Sequence, residues 1–192
     1  MYTITLQDVK SCFNAKAERI ALFFPFLQET CTKYQINTPT RVAAFFAQLA
    51  IESLDLIYTE EIASGDSYTS RKDLGNTLPA AIAAYNAAVA AGFIHSLGAF
   101  YKGRGLIQIT GYSNYSELGE ALKIDLVNNP ILLSTPELAC KSAGWFWNTK
   151  NLNSLADVGE FGKITYLING GYNKAEERLK RFVINNKVLG SS

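Results

Sequence analysis

The chain has 192 residues, 48% of them hydrophobic and 18% charged, which is material for one globular domain with room for two lobes. Its 18 Lys and Arg against 17 Asp and Glu leave a net charge of +1, so no bulk field steers it to nucleic acid. One histidine and three cysteines without metal-type spacing argue against a His-rich zinc site, a Ser-His-Asp triad and a disulfide framework, and no cofactor or metal is expected.

In chain order the reading is mostly helical. The first ten residues are polar-mixed, with no leader signal. A helix begins at LQDVKSCF after the Thr3–Thr5 start. The next pattern, AERIALFFPFLQETCTKY, is helical with an expected kink or break near Pro25. Its apolar run IALFFPFL is too short to span a bilayer, so no membrane insertion is expected. The clearest helix is NTPTRVAAFFAQLAIESL, with Thr38 as cap, Pro39 in the first turn, and Val42, Phe45, Phe46 and Leu49 at helical spacing. TLPAAIAAYNAAVAAGF is an alanine-rich helix that ends near Gly92. His95, among small and apolar neighbours, reads as a loop or half-buried structural residue. Strand signal is confined to 106–110 and weakly to 57–69. TPELACKSAGWFWNT is a helix capped by Thr135, DVGEFGKITYLINGG ends in a glycine pair, and NKAEERLKRFVINNKVLG closes the chain as a helix. That last segment is locally basic, read as a solvated helix face, with weak attraction to an anionic polymer as the alternative. The fold class is mainly α, one domain over 1–192, with a small β element near the middle.

With histidine scarce, carboxylates are the natural chemical groups. Glu52 follows Phe45 and Leu49 at helical spacing, so it shares their side of the helix, and it falls in the last turn. Apolar neighbours and the helix dipole favour its protonated form, as a general acid needs. Glu61 comes nine residues later in a segment of loop or strand character. Two carboxylates in unlike environments are the machinery for splitting a glycosidic bond, and an inverting pair stands roughly 6.5–9.5 Å apart to admit a water. Asp55 and Glu60 are fallback candidates.

Four segments, in order, resemble the motifs of glycoside hydrolase family 19: RVAAFFAQLAIESLDLIYTEE, YKGRGLIQITGYSNY, KSAGWFWNTKNLNSLAD and ITYLINGGYN. The resemblance implies a lysozyme-like fold with two lobes around a cleft, and cleavage of β-1,4 links between N-acetylated sugars with inversion. It implies Glu52 as general acid, Glu61 as general base and Thr110 as the hydroxyl that helps hold the attacking water. It further implies sugar contacts from Gln108, Asn114 and Asn169, and an arginine pairing with the cleft carboxylates, for which Arg178 and Arg181 compete. In this reading Arg104, between Gly103 and Gly105, is a buried fork. The run LIQIT is a strand edge that points Leu106, Gln108 and Thr110 to the cleft and Ile107 and Ile109 to the core, while Tyr101, Tyr112 and Tyr115 offer rings for sugar stacking.

The sequence departs from the family in three places. Ile51 stands where the family has His, Leu54-Asp55 replaces a small or Gly-Gly pair, and Ile62 replaces Asn. The short form with few cysteines resembles phage endolysins of the family. That implies a monomer acting on peptidoglycan glycan strands, made in the host bacterial cytoplasm and released to the wall with a holin-type helper. A chitinase and an inactive glycan-binding homologue are the alternatives.

Overall fold

Local signals in the chain set several of the helix starts. The structure is a computed structural model and describes residues 1–191. Helix α1 (Leu6–Cys12) opens on Thr5, whose hydroxyl accepts from Asp8 N at 3.2 Å while the Asp8 carboxylate accepts from Thr5 N at 2.7 Å. Helix α2 (Ala17–Lys33) runs without a break through Pro25. Pro25 and Ala21, four residues before it, both face solvent, so water can satisfy the carbonyl that the proline leaves without a donor.

Helix α3 (Pro39–Glu52) has Pro39 as its first residue, and Thr38 Oγ1 accepts from Arg41 N at 3.2 Å. Helices α4 (Pro79–Ala90), α5 (Leu97–Phe100) and α6 (Tyr112–Leu122) follow. Sequence reading missed α6, because Ser, Asn and Gly dilute its propensity; its buried Tyr115, Leu118 and Gly119 nevertheless keep the i, i+3, i+4 spacing. Helices α7 (Pro136–Thr149), α8 (Leu152–Asp157), α9 (Phe161–Asn169) and α10 (Ala175–Gly190) complete the mainly α architecture.

The expected β element reduces to isolated bridges, Glu60 with Arg104 and Arg104 with Ile109. LIQIT is a turn and not a strand edge. Gly105 and Gln108 take left-handed backbone angles (φ 84° and 56°), which fold the segment so that Arg104 N meets Ile109 O at 3.0 Å and Ile109 N meets Arg104 O at 2.8 Å. Leu106, Ile107 and Ile109 are all buried, so Leu106 belongs to the core and not to a cleft wall.

The chain divides into two compact units, one of Met1–Tyr58 with Ala143–Ser192, the other of Thr59–Ser142. In the first, α10 packs along α3, whose Phe45 and Phe46 rings meet Trp147 (5.1 Å) and Phe13 (5.0 Å). Trp147 donates to Asn153 at 2.9 Å, and Asn153 donates on to Tyr34 O at 3.0 Å. Cys12, Cys31 and Cys140 are buried and form no disulfide.

In the second unit, Tyr101 and Tyr115 are wholly buried, with ring centroids 5.6 Å apart. Their hydroxyls donate to Val127 O and Lys102 O. Neither ring offers a free face to a sugar, which corrects the stacking role expected for both. Arg104 is the expected buried fork: it donates to Phe100 O at 2.8 Å and to Tyr115 Oη at 3.1 Å, and lies 3.2 Å from Glu60.

Candidate active site

Glu61 is held by neutral donors. Its Oε1 accepts from Tyr68 Oη at 2.9 Å and its Oε2 from Gly103 N at 3.2 Å, while its backbone N donates to Gly103 O at 2.9 Å. Burial first, then the bond to Glu61, holds the Tyr68 phenol above its usual value. The neighbouring Glu60 turns instead to Lys102 (3.1 Å) and Arg104 (3.2 Å), so the two adjacent carboxylates are sorted to separate partners.

The bare face of Gly103 is where the polar groups meet. A β-carbon on residue 103 would lie 2.8 Å from Gln108 Oε1, 3.2 Å from Glu61 Oε2 and 3.2 Å from Thr110 Oγ1. Three oxygens expected to act together thus converge beside a residue with no side chain. The tight 104–109 turn makes this possible: Gln108 Nε2 returns to Gly105 O at 3.0 Å, and Thr110 Oγ1 donates to Gln108 O at 2.9 Å. Asn114, in the first turn of α6, donates to Thr110 O at 2.7 Å. It fixes the segment that presents Thr110.

In the other unit, Glu52 is the last residue of α3 and its side chain is 17% exposed. The partner that the fold gives it is a guanidinium. Arg178 of α10, only 2% exposed, donates from Nη2 to Glu52 Oε1 at 2.5 Å and from Nη1 to Gln48 Oε1 at 2.5 Å. Its Nε donates to Asn173 O at 3.1 Å. Gln48 in turn donates to Thr165 Oγ1 at 2.9 Å. Arg181, the rival arginine, pairs with Asp55. Asn169 is half-buried at the end of α9.

The chain leaves α3 through three successive left-handed residues, Leu54, Asp55 and Leu56 (φ 50°, 55° and 67°). This explains why a Gly pair suits the position and what replaces it here. Asp55 is clamped by Arg181 and by Asn14 N (3.1 Å), and Leu56 N donates to Ser53 Oγ at 2.8 Å. Ile51, the other departure beside Glu52, lines a pocket with Leu54, Lys174 and Ile184.

Sequence reasoning missed Tyr68, Gln48 and Thr165 as members of these clusters. Only Gln48 carried a signal, a polar residue between Phe45 and Leu49 and one helical turn before Glu52. Among the described residues, no group of three or more His, Cys, Asp or Glu is placed to hold a metal, and no helix is long and apolar enough to cross a membrane.

The model of the glycoside hydrolase family 19 domain, chitinase class I, matches residues 21–158. An endochitinase of Arabidopsis thaliana is 36% identical over 163 residues, 84% of this chain and 47% of that protein. An acidic endochitinase of Petunia hybrida is 36% identical over 142 residues, 61% of this chain and 54% of that protein. The chain spans between 29% and 56% of the length of such plant endochitinases. The crystal structure of chitinase C from Streptomyces griseus superposes with a TM-score of 0.74 at 25% identity, over 97% of this chain and 76% of that one.

Proposed function

This chain belongs to glycoside hydrolase family 19, and on that premise we propose that it hydrolyses β-1,4 bonds between N-acetylated sugars by an inverting acid/base mechanism. Glu52 protonates the leaving oxygen and Glu61 activates the attacking water, with Thr110 and Gln108 helping to hold that water or the sugar. The observation that carries this reading is the convergence of Glu61, Thr110 and Gln108 on the open face of Gly103. A carboxylate oriented by a phenol and a backbone N–H, with a hydroxyl beside it, is equipped to orient a water and take its proton. On the other side of the reaction, Arg178 is in place to meet the carboxylate that Glu52 becomes once its proton has left.

The substrate we propose is the glycan strand of peptidoglycan. Three buried cysteines that form no disulfide favour a chain that folds in a reducing compartment, as an enzyme made inside a bacterium and released onto its wall would. Release would then require a holin-type helper. Chitin is the second reading, favoured by relatives that are endochitinases. The test is mass analysis of products from purified peptidoglycan and from chitin oligomers, with NMR of the earliest products. The expected result is cleavage of peptidoglycan with the α anomer formed from the β link. Cleavage of chitin alone selects the second reading. An initial β product, or no cleavage of either, overturns the mechanism.

A further inference from the structure

The Glu52 ion pair is the visible end of a longer chain of contacts. Gln48 is completely buried on α3, one turn before Glu52. Arg178 can only donate, so the Gln48 atom facing it must be the carbonyl oxygen. That turns the Gln48 amide nitrogen the other way, to Thr165 Oγ1 at 2.9 Å. Thr165, on α9, is 1% exposed. The hydroxyl thus sets the amide, the amide sets the guanidinium, and the guanidinium faces the carboxylate. Three of the five guanidinium N–H groups point at three different acceptors, Glu52 Oε1, Gln48 Oε1 and Asn173 O. Two of those acceptors are neutral and do not depend on the charge of Glu52.

We infer that Thr165 and Gln48 are positioning residues that anchor the Arg178 charge beside Glu52 whichever protonation state Glu52 holds. A guanidinium held only by Glu52 would be free to swing when that carboxyl carries its proton. Held also by Gln48 and Asn173, it stays where the developing carboxylate needs it, with no reorganisation during the step. The inference rests on the proposed role of Glu52, and it assigns work to two buried polar residues that touch no sugar.

The anchoring itself can be read without turnover. In 15N-labelled protein, the guanidinium N–H signals of Arg178, identified by their loss in Arg178→Lys, should exchange slowly. Thr165→Val removes the hydroxyl at nearly constant volume and should speed that exchange, while Thr165→Ser should restore it. In kinetics on peptidoglycan or chitin oligomer, whichever the parent protein cleaves, Thr165→Val should lower kcat roughly 10- to 100-fold with KM little changed. Thr165→Ser should recover most of the loss.

Gln48→Glu guards against simple misfolding. It gives Arg178 a second carboxylate inside the fold, so it should keep the melting temperature yet draw the charge away from Glu52 and lower kcat. Unchanged exchange and kcat in Thr165→Val would overturn the inference, as would a loss of activity that merely tracks melting temperature across the three variants. Glu52→Gln separates the two levels. If it stays active, the catalytic reading fails and the exchange data alone judge the anchor. If it is inactive while Thr165→Val is normal, only the anchor fails.

Discussion

Glu52 and Glu61 are both half-buried carboxylates, and the fold holds them by opposite means. Glu52 faces a cation that is itself fixed by two neutral acceptors. Glu61 receives one neutral donor on each oxygen, a phenol and a backbone N–H. A charged partner stabilises a carboxylate most when the proton has gone, which suits a group whose task is to give a proton away. Neutral donors aim a carboxylate without cancelling its charge, which suits a group that must accept one. The same side-chain chemistry is thus divided into two roles by what surrounds it.

The largest expected effect comes from removing either carboxyl group. Glu52→Gln and Glu61→Gln should each cost on the order of 10²–10⁴ in rate. Azide should restore part of the turnover of Glu61→Gln alone, because it can replace the water that Glu61 activates. The pair should also separate in melting temperature. Glu52→Gln leaves the buried Arg178 facing a neutral amide and should lose about 1–3 kcal/mol. Glu61→Gln keeps one acceptor, for the Gly103 N–H, and its amide can donate to the Tyr68 hydroxyl, so it should lose roughly 1 kcal/mol or less. Equal melting temperatures for the two would break the contrast between charged and neutral anchoring.

A smaller effect should follow Gly103→Ala. Gly103 does not have a positive φ, so the new methyl acts by contact alone, against Gln108, Glu61 and Thr110. The rate should fall about 10- to 100-fold through displacement of those oxygens, with kinetics and thermal melting run on one preparation. Wild-type activity would mean that the convergence on Gly103 is incidental.

The smallest effect concerns the turn behind Glu52. Leu54 is 52% exposed and left-handed, so Leu54→Gly loses little burial and relieves backbone strain. Relief outweighs the entropy of glycine by about 0.5 kcal/mol, a rise of one or two degrees by calorimetry. Asp55→Gly should fall instead, since it also removes the clamp to Arg181 and Asn14. If both variants rose, the clamp would contribute nothing.

The sequence by itself determined what depends on near neighbours. Thr38 before Pro39 starts α3, and Thr5 with Asp8 caps α1, because capping bonds reach only three residues along the chain. The Gly-Arg-Gly run announced a buried guanidinium, since flanking glycines let other backbone come close to it. The order of four motifs announced the family. Hydrophobicity alone misled in one place and left burial undecided in another. Alternation in LIQIT looked like a strand until two left-handed residues folded it into a turn, and in the apolar α4 only Ala81 is buried, because a helix without an apolar stripe has no face to direct inward. Only tertiary structure decided which arginine meets Glu52. Arg178 and Arg181 lie on one helix with the same charge, but the first points along α3 into the core and the second to Asp55. Nor could sequence link Gln48 to Thr165 and Arg178, 117 and 130 residues away. Such contacts are chosen by how helices pack, and a buried polar group takes whichever partner that packing brings within reach.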